Sequence, residues 1–220
     1  RIPRGLQRLA GRPLLHHVLD QAAHLQARSA IVITGHGATE VEAATAGAAS
    51  ATGTFDLKFV RQEPQLGTGH AVQQAVPHLR DDGTVVVLSG DVPLTQADTL
   101  RALVAASAGG QLALLTVTLP DPTGYGRIVR NAEGAVQGIV EHKDASDAQR
   151  AITEVYSGIM AVPARLLRGW LARLTNHNAQ GEYYLTDIVA MAVADGVPVA
   201  AHRITDALQV AGVNSPLQLA

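Results

Sequence analysis

Val85–Thr95, VVVLSGDVPLT, is the stretch on which the reading of the fold turns. Four apolar residues in a row, three of them β-branched, predict a strand buried on both faces, as in the middle of a parallel sheet. The run stops at Ser89-Gly90-Asp91, and Pro93 then prevents the ladder from simply continuing. Asp91 is thereby the first charged group past the carboxyl end of a central strand, the place where open α/β sheets collect their ligands. An acid ahead of a turn is also an ordinary turn residue, so the flanking chain has to decide between the two readings.

Upstream, Ala30–Thr34 and Phe55–Val60 read as strands. Helical spacing runs through Leu14, Leu15, Val18, Leu19, Ala22 and Ala23 after Pro13, and further helices are expected over Ala38–Ala48, Ala71–Val76 and Gln96–Ala106. Strand alternating with helix argues for a largely parallel, doubly wound α/β sheet. From Leu112 the texture becomes β-rich. Leu112–Leu119 is a long strand pattern, Arg127–Val129 and Ala135–Val140 flank a turn at Asn131–Gly134, and Glu154–Val162 is another strand. A polar, helical patch (Asp144–Arg150), helices over Ala164–Leu174 and Thr186–Asp195, and a strand at Val197–Arg203 complete the pattern. The simplest account is one α/β domain over 1–220, with a first half (1–110) and a β-rich second half (111–220).

The composition narrows the function. The chain has 220 residues, 47% hydrophobic and 16% charged, as a globular protein requires, but only 3% aromatic, so its core is built from Ala, Val, Leu and Ile. It has no cysteine, which excludes disulfides and thiolate catalysis within these residues. A net charge of -2 gives no electrostatic case for nucleic acid. No segment approaches the ~18 apolar residues of a membrane span, and no apolar signal region follows the basic first residues. Lys58 and Lys143 are the only lysines beside fifteen arginines. The nine histidines show no zinc-site spacing, and no G-x-S-x-G, P-loop or H-E-x-x-H occurs.

What remains is a set of polar and glycine-rich turns. Gln65–Ala71, QLGTGHA, places small residues ahead of a helix, where the backbone can approach an anion or a polar ring. Pro122–Ile128, PTGYGRI, is either a tight strand entry or a close approach to a ligand. Glu141-His142-Lys143-Asp144 follows an apolar strand, and its first acid could receive sugar hydroxyls. Asn176–Tyr184 is an amide-rich loop offering directional donors and acceptors to a polyhydroxylated ligand. An oxygen ligand at Asp91 would suit Mg²⁺, and Asn214 adds a polar amide near the end of the chain.

In their order, Ile2–Leu19 (IPRGLQRLAGRPLLHHVL), QLGTGHA, Leu88–Leu94 (LSGDVPL), Asp121–Ile128 (DPTGYGRI), Gly138–Ala145 (GIVEHKDA), Asn178–Asp187 (NAQGEYYLTD) and Gly212–Ala220 (GVNSPLQLA) resemble the uridyltransferase domain of the bacterial N-acetylglucosamine-1-phosphate uridyltransferases. The likeness spans nearly the whole chain, and EHKDA with NAQGEYYLTD separates it from other sugar-nucleotide pyrophosphorylases. It implies the nucleotide-diphospho-sugar transferase fold, Rossmann-like, with a mixed sheet and a β-rich sugar-binding lobe. It implies a cytoplasmic enzyme of cell-wall precursor synthesis that joins UTP and N-acetylglucosamine 1-phosphate into UDP-N-acetylglucosamine and pyrophosphate. On the same basis Asp91 and Asn214 look like Mg²⁺ ligands, Gln62, Gly67 and Thr68 like the uracil and ribose pocket, and Gly126, Glu141 and Thr186 like positions around the sugar. Ser89 and Gly90 would flank the substrate beside Asp91.

Three positions depart from the family pattern. Arg4 stands where a phosphate-contacting Lys is usual, keeping the charge but not its point geometry. Ser89 replaces a common aromatic, and Tyr156 stands where a sugar-binding Asn is frequent. The family's first strand and glycine-rich, Arg-containing phosphate loop, and its acetyltransferase domain, lie outside these 220 residues. The resemblance therefore leads to the expectation of a chain inactive by itself, and of a monomer where the full-length protein is a homotrimer. A pyrophosphorylase for another hexose 1-phosphate and a non-catalytic nucleotide-sugar binder are the competing readings.

Overall fold

A computed structural model describes residues 8–10, 12–52 and 55–212. In chain order its elements are β1 (Arg8–Leu9), β2 (Arg12–Pro13), α1 (Leu14–His24), β3 (Ser29–Thr34), α2 (Ala38–Thr52), β4 (Asp56–Arg61), α3 (Thr68–Ala75), β5 (Thr84–Val87) and α4 (Ala97–Ala106). There follow β6 (Leu112–Thr118), β7 (Arg127–Arg130), β8 (Val136–Val140), α5 (Asp147–Arg150), β9 (Glu154–Pro163), α6 (Ala164–Ala172), α7 (Asp187–Ala194) and β10 (Val199–Ile204). Short 3-10 turns occupy Val76–His78, His142–Asp144 and Ala207–Val210. Among the described residues no helix is long and apolar enough to cross a membrane.

The elements group into two compact units. The first takes the described residues up to Pro64, Leu88–Arg101, and those from Leu208 onward. Its centre is a β-α-β unit in which β3 and β4 pair in parallel, Ser29 opposite Asp56 through Thr34 opposite Arg61, with α2 as the crossover. Helix α1 begins directly after Pro13, whose missing N–H costs nothing there. Its apolar positions Leu14, Leu15, Val18, Leu19 and Ala22 are buried, and Leu15 and Leu19 pack with Val41, Val32 and Leu57. The end of the described chain is fastened by Gln209. Its carbonyl accepts from the Thr95 hydroxyl at 2.6 Å, and its side-chain oxygen accepts from the Thr99 hydroxyl at 2.7 Å and the Gln96 amide at 3.2 Å.

The second unit, Gln65–Val87 with Ala102–Ala207, is organised on β9. Its six-stranded mixed sheet runs β10-β6-β9-β7-β8, with β5 also on β9. Strands β10 and β6 are parallel, whereas β9 is antiparallel to β5, β6 and β7. β9 is ten residues long and all but one of them are buried, because sheet and helices cover both of its faces. Leu112, Leu114, Met160, Leu167, Trp170 and Ile188 form the centre of the resulting core. The fold is α/β with a mixed sheet, as expected.

Val85–Thr95 departs from the expectation of a strand buried on both faces in the middle of a parallel sheet. The strand is Thr84–Val87, its three valines are half-buried, and among the described residues it pairs only with β9, antiparallel from Thr84 opposite Pro163 to Val87 opposite Met160. A β-branched run reports a strand and a partner; it carries no information about the partner's direction. Helix α3 also starts earlier than its apolar spacing suggested, at Thr68 instead of Ala71. Gly67, at φ 112°, turns the chain into the helix, so half of QLGTGHA is helical.

Candidate active site

In the second unit, four of the singled-out positions converge. Strand β8 ends at Val140 and delivers Glu141, and the short α7 is preceded by Thr186, whose hydroxyl donates to Glu141 Oε1 at 2.8 Å. Gly126 lies immediately before β7, and its carbonyl accepts from the Tyr156 amide at 2.9 Å. A side chain at Gly126 has no room: a Cβ there would sit 2.8 Å from Ile139 Cγ2 and 3.5 and 3.6 Å from the two Glu141 oxygens. The carboxylate thus faces the bare backbone at Gly126.

Burial, then the negative charges of Asp187 and Asp144, lift the Glu141 carboxyl above its usual range, against the opposing hydrogen bond from Thr186. Tyr156 is buried too, and its hydroxyl has no hydrogen-bond partner among the described residues. Burial and the neighbouring Glu141 charge push that hydroxyl strongly towards its protonated form. The group is therefore a fixed donor. An unpaired buried hydroxyl costs about 1–3 kcal/mol, which a ligand oxygen would recover.

The Gln65–Ala71 turn is joined to the same region through Tyr183–Leu185. The Tyr183 amide donates to Leu66 O at 2.8 Å, the Gly69 amide donates to Tyr183 O at 2.7 Å, and the Leu185 amide donates to the Thr68 hydroxyl at 3.1 Å. This close approach explains Gly67 and Gly69. A Cβ on Gly67 would lie 2.7 Å from Tyr183 O, and one on Gly69 would lie 2.5 Å from Leu174 Cδ1. One short segment, Tyr183–Thr186, thus ties the Gly67–Thr68 turn to Glu141.

The first unit carries Gln62, Ser89, Gly90 and Asp91. Gln62 is buried, with its backbone amide donating to Thr34 O at 2.8 Å. Ser89 to Asp91 form a turn closed by the Val92 amide on Ser89 O at 3.2 Å, and all three are half-buried. Gly90 is not forced by crowding, since a Cβ would meet only Leu15 Cδ1 at 3.8 Å. Arg4 and Asn214 lie outside the described residues. Among those residues no group of three or more His, Cys, Asp or Glu side chains could hold a metal ion. The donors at issue, a carboxylate at Asp91 and an amide oxygen at Asn214, are the hard oxygens that Mg²⁺ prefers.

Two residues that the sequence reading passed over matter to this geometry. Asp144 accepts from the Ala179 amide at 2.8 Å and from the Tyr184 hydroxyl at 2.9 Å. Arg127, only 1% exposed, donates its guanidinium to the carbonyls of Tyr125, Ile152 (3.2 Å) and Arg150 (3.2 Å), pinning the loop ahead of Gly126. Both stand within motifs already noted. Their partners, however, include backbone groups 25 and 35 residues away and a hydroxyl 40 residues away, which no local pattern announces.

Comparison with known proteins bears on the family and the fold. The family model of the MobA-like NTP transferase domain matches residues 1–203. The chain is 82% identical over all 220 residues to the bifunctional protein GlmU of Acidovorax sp. (strain JS42), covering 46% of that protein. It is 80% identical over 220 residues to GlmU of Paracidovorax citrulli, again covering 46%, and 54% identical over the same length to that of Alkalilimnicola ehrlichii. The chain spans about half the length of the curated relatives it matches. A solved UDP-glucose pyrophosphorylase in complex with UDP-glucose shares the fold, with a TM-score of 0.74 at 14% identity over 93% of this chain and 83% of that one.

Proposed function

The chain belongs to the MobA-like NTP transferase domain family, and from that premise we propose that it is a nucleotidyltransferase that transfers UMP from UTP to N-acetylglucosamine 1-phosphate, with Mg²⁺, releasing pyrophosphate. The observation that carries this reading is the Tyr183–Thr186 segment. It holds the Gly67–Thr68 turn on one side and Glu141 on the other, so the turn we assign to the nucleotide and the acid we assign to the sugar are held by one piece of chain.

In this mechanism a phosphate oxygen of the sugar phosphate attacks the α-phosphorus of UTP, the α–β bridging bond breaks, and pyrophosphate departs with that electron pair. Little covalent chemistry is asked of the protein, whose part is positioning and charge neutralisation. Gly67 and Thr68 are assigned the uracil and ribose contacts, and Gln62, in the first unit, is assigned to the same ligand by the family resemblance alone. Glu141 and Tyr156 meet the sugar: the carboxyl, oriented by Thr186, accepts or shares a sugar hydroxyl proton, and the Tyr156 hydroxyl donates to a sugar oxygen. Gly126 lets the backbone lie against Ile139 and Glu141, where a side chain would push the carboxyl out of place. Asp91 and Asn214 would hold Mg²⁺, which neutralises phosphate charge when bound. Arg4 contributes a fixed positive charge towards the same phosphates.

The test is pyrophosphate release. The intact protein supplied with Mg²⁺, UTP and N-acetylglucosamine 1-phosphate is expected to release it, and chelation or Asp91→Ala to abolish it. Absence of release under those conditions overturns the reading. Preference for glucose 1-phosphate over the N-acetylated sugar would keep the transfer and overturn the acceptor.

A further inference from the structure

Between α6 and α7 the chain runs from Arg173 to Thr186 without regular structure, yet it ends on the residue that orients Glu141. Part of its shape is internal. The Asn178 side-chain oxygen accepts from the amides of Gln180 and Glu182, each at 3.2 Å, and its Nδ2 donates to Glu182 O at 2.6 Å. These bonds close a compact loop without saying where it lies. On the Gln65–Ala71 side it is placed by the backbone bonds at Tyr183 and by Thr68. On the Glu141 side, the bonds ahead of Thr186 come from one side chain, Asp144.

Asp144 closes the 3-10 turn that follows Glu141. One carboxylate oxygen takes the Ala179 amide, and the other takes the hydroxyl of Tyr184, which in turn accepts from Gln180 Nε2 at 3.0 Å. Both acceptors of one exposed acid are therefore spent on a single loop, at its tip and near its end. Asp144 is itself exposed, so a purely stabilising role would gain little from it. Its place three residues after Glu141, with its amide donating to Glu141 O at 3.0 Å, gives it a different use.

We infer that Asp144 is a positioning residue that sets the Ala179–Tyr184 loop against the turn after β8, so that Thr186 meets Glu141, and that it thereby governs affinity for the sugar phosphate and not for the nucleotide. The inference deepens the proposed function and rests on it for its substrates. The nucleotide side is spared because the bonds at Leu66, Thr68 and Gly69 do not pass through Asp144.

The experiment pairs steady-state kinetics with hydrogen exchange on the whole protein. In Asp144→Ala, KM for the sugar 1-phosphate rises about tenfold while kcat and KM for the nucleoside triphosphate stay within about twofold, the size expected for losing a hydrogen bond to a charged acceptor. Asp144→Asn, which keeps the shape and one acceptor, restores most of that loss, and Asp144→Glu, one methylene too long, does not. In the same variant, exchange quickens in peptides covering Asn176–Glu182 and is unchanged in those covering Gln65–Ala71. A KM rise for both substrates together, a fall in kcat alone, or no kinetic change overturns the inference. If the unaltered protein shows no transfer, the proposed function falls, and unchanged exchange at Ala179 then overturns the tie independently.

Discussion

Glu141 carries a charge that its surroundings oppose. Burial comes first, and Asp187 and Asp144 add to it, while only the Thr186 hydroxyl favours the carboxylate. The folded chain thus holds this proton more tightly than the unfolded chain does. Stability from that difference is fully present below the ordinary value of 4.5 and is lost as pH rises through the lifted one. Asp187, raised by burial and by Asp144, acts with the same sign. Glu141→Gln keeps an oxygen for Thr186 and removes the charge. Thermal unfolding followed between about pH 4 and 7 is therefore expected to show a fall in Tm for the unaltered protein that is flatter in the variant, their difference isolating Glu141. A variant with the same slope would mean that the carboxyl is not strained. Sequence made Glu141 visible as the acid ending an apolar strand. It could not show the strain, because Thr186 lies 45 residues further along.

At the scale of elements, the sheet of the second unit depends on two ionic groups placed where apolar residues would be expected. Glu154, at the start of β9, accepts from Arg130 of β7 at 2.9 Å, from Thr116 of β6 at 2.8 Å and from Arg203 of β10 at 3.2 Å, joining four strands at one carboxylate. Burial alone would raise that carboxyl, but the bonds from Arg130 and Thr116 and the two arginine charges take it below its usual value. Arg127 is the counterpart for the loops, with a buried guanidinium that donates to the carbonyls of Tyr125, Arg150 and Ile152. Arg127→Met fills similar space but leaves those carbonyls without their donor, at a cost of about 3 kcal/mol. Urea unfolding measures this, and because the freed loop ends at Gly126, exchange is expected to quicken across Asp121–Gly126; a loss under about 0.5 kcal/mol would show that water replaces the guanidinium. Helix and strand spans were legible since burial imposes its period on the sequence. The partner of β5, the reach of α3 and the bonds of the 173–186 segment were not, since each is settled by groups from distant parts of the chain.

For the molecule as a whole, the course of the chain makes one unit depend on the other. The first unit is assembled from three separate stretches. Its Leu88–Arg101 stretch leaves β5 and leads towards β6, two strands of the second unit's sheet, and its last stretch follows β10. While the second unit is unformed, bringing these stretches together costs the closure of long, flexible loops. The reverse does not hold with equal force, because the second unit owns the large core around Leu114, Met160 and Ile188, whereas the first has a small cluster of Leu15, Leu19 and Val41. The chain's single tryptophan separates the two cases. Trp170 is 2% exposed in the larger core, with its indole N–H donating to Asp195 Oδ2 at 2.9 Å, so its fluorescence reports the second unit alone. Far-UV circular dichroism reports both. In urea, the fluorescence transition is therefore expected to coincide with the dichroism transition or to follow an earlier dichroism phase, and never to precede it. Leu114→Ala, a buried truncation costing about 3 kcal/mol, should move both transitions to lower urea. A fluorescence midpoint below the dichroism midpoint, or a variant that shifts fluorescence and leaves the first phase in place above it, would show that the three-stretch unit stands without the sheet that delivers its pieces.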